Sequence, residues 1–280
     1  MMDENHEKNI ISPVRQKQIE IVQEVDRLCK LHELTYYIVA GTLLGAVRHK
    51  GYIPWDDDID IAMPRKDLLK FREICSRELS SKFFLQCKDT DPIYWQSFDK
   101  MLMNGTLFAT ESKIKVNVHH GIFIDIFPLD DSFDRDTWLG RRMLAFQKKW
   151  VMTANTIRQD RSGFKKVEGT KWKIICTVSR IFSIRTISTV TELVMRMKCI
   201  GKVKYYTNLS SNYSWMKQTM PKEVYGTPVY LPFEYESFPA PAQWNEFLTR
   251  LYGPDYMELP PEEKRINHSI HYIKVENDEK

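Results

Sequence analysis

The amino-acid sequence predicts an α/β (α+β) fold, with a strand-bearing core over residues 1–135 and a helical, then loop-rich, lobe over 136–280. Three observations carry this expectation. In the first half, short β-rich apolar runs are separated by stretches of helical periodicity. One of those runs alternates aspartate with isoleucine, which is the two-residue period of a strand. After residue 135 the pattern turns helical and basic, and then rich in tyrosine, proline and tryptophan.

Ser12-Pro13 reads as an N-cap followed by proline at the first helical position. Val14, Ile21, Val22, Val25, Leu28 and Leu31 follow at helical spacing, so an amphipathic helix is expected over 13–33. Tyr36 to Ala40 is a short β-rich run closed by Gly41-Thr42, and Leu43 to Arg48 predicts a short helix ending near Gly51. Pro54-Trp55 opens a second strand, Asp58-Ile59-Asp60-Ile61-Ala62, which Pro64 stops. Lys66 to Leu79 has the pattern of a crossover helix. Gly121 to Phe127 is apolar except for Asp125, and that composition predicts a strand inside the sheet. From about Thr137 to Met197 the pattern is helical. Beyond it, Tyr225, Tyr230, Phe233, Tyr235, Trp244, Tyr252 and Tyr256 mark a packed, loop-rich lobe.

The composition is that of an ordinary water-soluble protein: 42% hydrophobic and 28% charged over 280 residues, with a mean hydropathy of −0.43. No stretch approaches the roughly 18 apolar residues of a membrane span. The acidic start, Met1 to Glu7, does not suit a signal peptide, so a cytoplasmic location is expected. Cys29, Cys75, Cys87, Cys176 and Cys199 are odd in number and scattered, which argues against a disulfide framework or zinc knuckle. They are expected to behave as small buried apolar residues. The net charge of +4 is unevenly placed: Arg135 to Lys204 holds 17 Lys or Arg against 4 Asp or Glu, leaving the remainder net negative.

The acidic strand carries the chemistry. Residues two apart share one face of a strand, so Asp58 and Asp60 point together while Ile59 and Ile61 face the core. Two carboxylates side by side repel unless a cation lies between them. Oxygen ligands at this spacing suit Mg²⁺, with Mn²⁺ as an alternative. Asp125, isolated in an apolar strand, is costly to bury alone, and a metal shared with Asp58 and Asp60 would account for all three. Asp56 either joins the metal side or belongs to the turn after Pro54. The plainer reading, a solvated acidic turn, fits the isoleucine alternation poorly. Ahead of the acids, Gly41 ends a strand where a phosphate can approach the backbone, and Thr42 can cap the next helix.

The run Gly41-Thr-Leu-Leu-Gly-Ala-Val-Arg-His-Lys-Gly-Tyr-Ile-Pro-Trp-Asp-Asp-Asp-Ile-Asp-Ile61 resembles the signature of the LicD family, within the nucleotidyltransferase superfamily. The resemblance continues through Gly121 to Asp130 and returns near Tyr252-Gly-Pro-Asp-Tyr-Met257. It implies a small mixed sheet with flanking helices and a metal site at one edge. It also implies that Asp58, Asp60 and Asp125 are the metal-binding and catalytic acids, and that Gly41-Thr42 is the phosphate turn. The activity implied is transfer of phosphocholine from CDP-choline to a sugar hydroxyl of a lipopolysaccharide or teichoic acid precursor. Ribitol or glycerol phosphate transfer from a related CDP-alcohol, and NTP-dependent nucleotidyl transfer, are the alternatives; a non-catalytic binding module fits poorly with three retained acids.

Other residues are candidates for the site. Arg48 and Lys50 are expected to contact phosphate or to be ordinary loop cations. Trp55, Tyr94-Trp95 and the C-terminal tyrosines could face a quaternary ammonium. His120 lies just before the third strand and could line the site, whereas His268 and His271 lack the partners of a metal knuckle. Within the basic segment, Ile174, Ile175, Val178, Ile181, Phe182, Leu193, Val194 and Met197 recur among cations. That pattern suits either a helix packed on the core or one lying on anionic lipid at the inner face of the plasma membrane. No nucleic-acid-binding motif accompanies the charge.

Overall fold

A computed structural model describes residues 4–265 and 272–275; His268 and His271 lie outside these. Helix α1 (Glu4–Leu31) leads into β1 (Tyr37–Ile38), α2 (Ala40–Arg48), β2 (Asp60–Pro64) and α3 (Arg65–Glu78). Next come β3 (Phe83–Gln86), β4 (Asp99–Met103), β5 (Leu107–Ala109), α4 (Glu111–Ile114) and β6 (Ile122–Asp131). The basic segment forms α5 (Trp138–Ser162), α6 (Thr170–Val178) and α7 (Ile184–Met195). The remainder holds β7 (Tyr205–Thr207), α8 (Trp215–Gln218), β8 (Thr219–Pro221), α9 (Lys222–Tyr225), β9 (Val229–Phe233), β10 (Glu236–Ala240), α10 (Trp244–Tyr252) and β11 (Tyr272–Lys274).

The main sheet runs β1-β2-β6-β4-β3, with β7 and β8 continuing from the far end of β6. The β2–β6 pair is parallel and the other pairs are antiparallel, so the sheet is mixed, as expected. β6 lies between β2 and β4, so both of its edges are covered, and Ile122, Ile124 and Ile126 are completely buried, which accounts for its apolar composition. α3 packs on β2 and β6 but leads into the β3–β4 hairpin rather than straight back to a parallel strand. Because β7 pairs with β6, the chain beyond residue 135 completes the sheet of the first part.

Val14, Ile21, Val22, Val25 and Leu28 of α1 are buried against the sheet, but Leu31, in its last turn, is largely exposed. α1 also begins earlier than expected, at Glu4, with Pro13 inside it. Proline lacks only its own N–H there, and the helix continues on both sides. α5 starts as its sequence suggests, with the Thr137 hydroxyl accepting from the Gly140 N–H, and stops at Gly163 in the left-handed region. Four of the five cysteines are buried and all are free.

Candidate active site

The parallel register places Asp60 directly opposite Asp125 across one rung of the β2–β6 ladder. Asp58 lies two residues before Asp60, and the Asp125 N–H donates to the Ile59 carbonyl (2.9 Å), so the pairing extends past the formal end of β2. One carboxylate oxygen from each of Asp58, Asp60 and Asp125 lies within 4.8 Å of the other two. Ile59 and Ile61 are completely buried on the other side. The alternation read in the sequence thus places three acids on one face.

The electrostatics are those of an overcrowded anionic centre. Asp58 is held well above the ordinary carboxylate range, first by burial and then by Asp56 and Asp125. Asp60 is raised likewise, by burial, Asp58 and Asp125, with Lys100 alone among the main influences opposing. Lys100, buried on β4 opposite Asp125 in register, donates to Asp125 Oδ1. Its ammonium lies 3.5 Å from the centre of the Phe123 ring, and that of Lys113 lies 5.0 Å from the same ring. Burial and the neighbouring Lys100 lower Lys113 to about 8. Neither lysine was anticipated from the sequence.

These groups open into a cleft of about 470 Å³. One wall is the acid face of the sheet with Phe98, Phe123 and Phe127. The opposite wall comes from the basic segment, through Met152, Asn155, Thr156 and Gln159 of α5, and from the loop Asn208–Tyr213. Tyr213 packs edge-to-face on Tyr252, ring centres 5.9 Å apart. Tyr252 is itself raised by burial, by Tyr213 and by the charges of Asp60 and Asp56.

The residues before the acids differ from the expectation in their local geometry. The left-handed backbone falls on Ala40 (φ 48°), not Gly41. Val39 is the N-cap of α2, and Gly41 and Thr42 lie inside its first turn. Gly41 matters because a β-carbon there would stand 2.5 Å from Asp56 Oδ2, so its bareness admits the Asp56 carboxylate. Asp56 thereby joins the acid side, within hydrogen-bond reach of Asp58. Thr42 is buried, and its hydroxyl accepts from the Asp60 N–H (2.8 Å), fixing the acidic strand from behind.

Arg48, Lys50 and Trp55 are not among the residues lining the cleft. Arg48 donates to the Tyr256 and Glu258 carbonyls, both at 3.0 Å, and so ties α2 to the C-terminal part. Lys50 takes φ 60° in the turn after α2, and its carbonyl accepts from the Glu234 N–H (2.7 Å). Trp55 packs under Arg265 (5.2 Å) and beside His49. His120 Nε2 donates to the Val116 carbonyl (3.0 Å), and the ring lines a small side cavity that shares Lys100, Lys113 and Phe123 with the cleft. Tyr94 and Trp95 are buried beside the same cavity, Trp95 stacked on Phe164.

Among known proteins, residues 33–165 match the family described as LicD/FKTN/FKRP, nucleotidyltransferase domain. A lipopolysaccharide cholinephosphotransferase, LicD of Haemophilus influenzae, is 28% identical over 90% of this chain and 93% of its own length. The ribitol 5-phosphate transferases FKRP of mouse and human are 26% identical over 38% of this chain, a match spanning 20% of each of those proteins. The matched domain encloses both strands that meet at the acid centre, and the bacterial relative extends the likeness across nearly the whole chain. On these grounds residues 33–165 carry the LicD/FKTN/FKRP nucleotidyltransferase domain, and the chain, similar to LicD along nearly its whole length, is a phosphotransferase.

Proposed function

We propose that this protein transfers phosphocholine from CDP-choline to a sugar hydroxyl of a cell-surface glycan precursor, releasing CMP. The observation that carries the reading is the meeting of Asp58, Asp60 and Asp125 at the floor of a cleft large enough for a nucleotide-linked donor. The near full-length likeness to a cholinephosphotransferase supports the cargo.

The donor set fits a hard divalent cation: three carboxylates, one oxygen each within 4.8 Å, in surroundings that oppose their charge. Asp58, Asp60 and Asp125 would hold Mg²⁺ or Mn²⁺, which supplies charge neutralisation for a pyrophosphate and its leaving group. The chain's own groups do the rest. Lys100 and Lys113 contribute fixed positive charge beside the donor phosphates. Asp125 takes the proton of the acceptor hydroxyl as its oxygen bonds to the phosphorus bearing choline and the bond to CMP breaks. Positioning and electrostatics dominate such reactions.

A second cargo has an observation in its favour. The Phe123 face beside the acids is covered by two ammonium groups, while much of the cleft is lined by amides and hydroxyls: Gln96, Asn155, Gln159, Asn208, Ser210 and Asn212. Such a lining suits a polyol, as in ribitol phosphate, as well as a sugar acceptor. Thermal shift with Mg²⁺ against CDP-choline, CDP-ribitol, CDP-glycerol, CTP and ATP separates these, since selective binding to the folded state raises its stability. The largest shift is expected with CDP-choline. A larger one with CDP-ribitol or CDP-glycerol changes the cargo, and a response to CTP or ATP alone replaces the reading with nucleotidyl transfer.

A further inference from the structure

The outward corner between α6 and α7 is apolar and basic together. The two helices meet at 101°, and by length and composition the bent pair resembles a broken apolar span, although no single described helix is long and apolar enough to cross a membrane. Around the bend, Ile174, Val178, Ile181 and Phe182 are 58%, 60%, 76% and 53% exposed. Four large apolar side chains this exposed within nine residues are not covered by the fold, whereas Cys176 and Ser188 on the inward faces are buried. Lys171, Lys173, Arg180 and Arg185 surround them, and Glu168 is the only acid between residues 161 and 191.

We infer that this corner docks on an anionic lipid bilayer. Cations flanking exposed apolar side chains match a surface of negative headgroups over hydrocarbon, because the charge draws the corner in and the apolar groups enter the interface. A water-soluble partner of neutral surface would satisfy the apolar groups but leave the uniform positive charge unmatched. The orientation also serves the cleft. Trp172 of α6 lines a groove of about 390 Å³ with Lys165 and Lys166, and that groove shares Thr156 and Gln159 with the acid-bearing cleft. A bilayer at the corner therefore lies beside a groove that adjoins the cleft through Thr156 and Gln159.

Flotation of the full chain with phosphatidylcholine vesicles, with and without about 30 mol% phosphatidylglycerol, tests this directly and needs no activity. Co-flotation is expected only with the anionic vesicles, weakening as salt is raised. Ile181→Glu with Phe182→Glu should lower the vesicle-bound fraction about tenfold or more, with an unchanged melting temperature because both side chains are exposed. Failure of the unaltered chain to float at low salt, or equal flotation of the double variant, overturns the inference. So does a dimer that the same double variant abolishes in the absence of lipid, which would make the corner a contact between copies.

Discussion

Two groups of buried charge share β4 and β6, and they are balanced in opposite ways. Adjacent residues of a strand face opposite sides, so Asp99 and Lys100 of β4 diverge, as do Asp125 and Asp130 of β6. On the α3 side, Arg65 grips Asp130 with two hydrogen bonds (2.7 and 2.8 Å). Arg72 grips Asp99 in the same manner and reaches Glu192 of α7 at 2.9 Å. Burial pushes Glu192 up, but Arg72 and Arg65 outweigh it and hold the carboxyl low. On the cleft side, Asp58, Asp60 and Asp125 gather within 4.8 Å, and among the described residues Lys100 and Lys113 are the cations that line the cleft. The first group is a structural clasp that fastens the basic segment to the sheet. The second is left short of positive charge, and that shortfall is what a metal and a donor would relieve.

Breaking the second group should cost activity and not stability. Asp60→Asn is expected to lower transfer about 10³-fold or more, equivalent to about 4 kcal/mol of barrier. Its melting temperature in metal-free buffer should equal or exceed that of the unaltered chain, since one of several mutually repelling carboxylates is gone. Near-normal turnover would remove the acid from the mechanism, and a large loss of stability would make it part of the clasp.

Breaking the first group should do the reverse. Arg72→Met leaves Asp99, 2% exposed, and Glu192 short of a partner, and should cost about 3–5 kcal/mol in urea denaturation. Adding Asp99→Leu should recover part of that loss, and its failure to do so would show that Arg72 acts through packing alone.

Lys113 sharpens the contrast. Lys113→Met should raise KM for the donor about tenfold, or about 1.4 kcal/mol, with a smaller change in kcat. Its lowered protonation also has a signature. The folded group titrates near 8 and the unfolded one near 10.5, so the unfolded chain binds more protons between those values. Ligand-free protein therefore gains stability as pH rises through this window, and the penalty is full below it. The gap in melting temperature between the unaltered chain and Lys113→Met should close from pH 8 to 10.5. A constant gap would place the ammonium in water.

The smallest effect is at Thr42. Thr42→Val removes the acceptor of the Asp60 N–H and should cost about 1 kcal/mol of stability. Its effect on transfer should exceed that fraction, because the strand bearing Asp60 loosens; an unchanged rate would limit Thr42 to the fold.

The parts legible in the sequence were those that a local rule exposes. Alternation of acid with isoleucine and a lone aspartate in an apolar run are costly patterns, so Asp58, Asp60 and Asp125 announced their strands and their meeting. Lys100 obeys no local rule: its place depends on β4 pairing with β6 across 25 residues, and Asp99-Lys-Met-Leu-Met carries a weak strand signal. Asn155 and Gln159 are neutral amides on a basic helix and stand out by nothing but position. Arg48, Lys50 and Trp55 entered as candidates by closeness along the chain, and they are not among the residues that line the cleft. The helix start misled because Ser12-Pro13 is a strong boundary sign that the longer α1 overrides.

The rung joining Asp60 to Asp125 has a consequence for how the chain reaches its native state. A slip of one residue between β2 and β6 would turn the carboxylates inward, onto the ground now held by Ile59 and Ile61, and bring isoleucines to the cleft. Burying those acids among apolar groups costs far more than the rung's hydrogen bonds return. The residues that burden the finished site thus proofread its assembly, because a misaligned sheet pays for every acid it swallows.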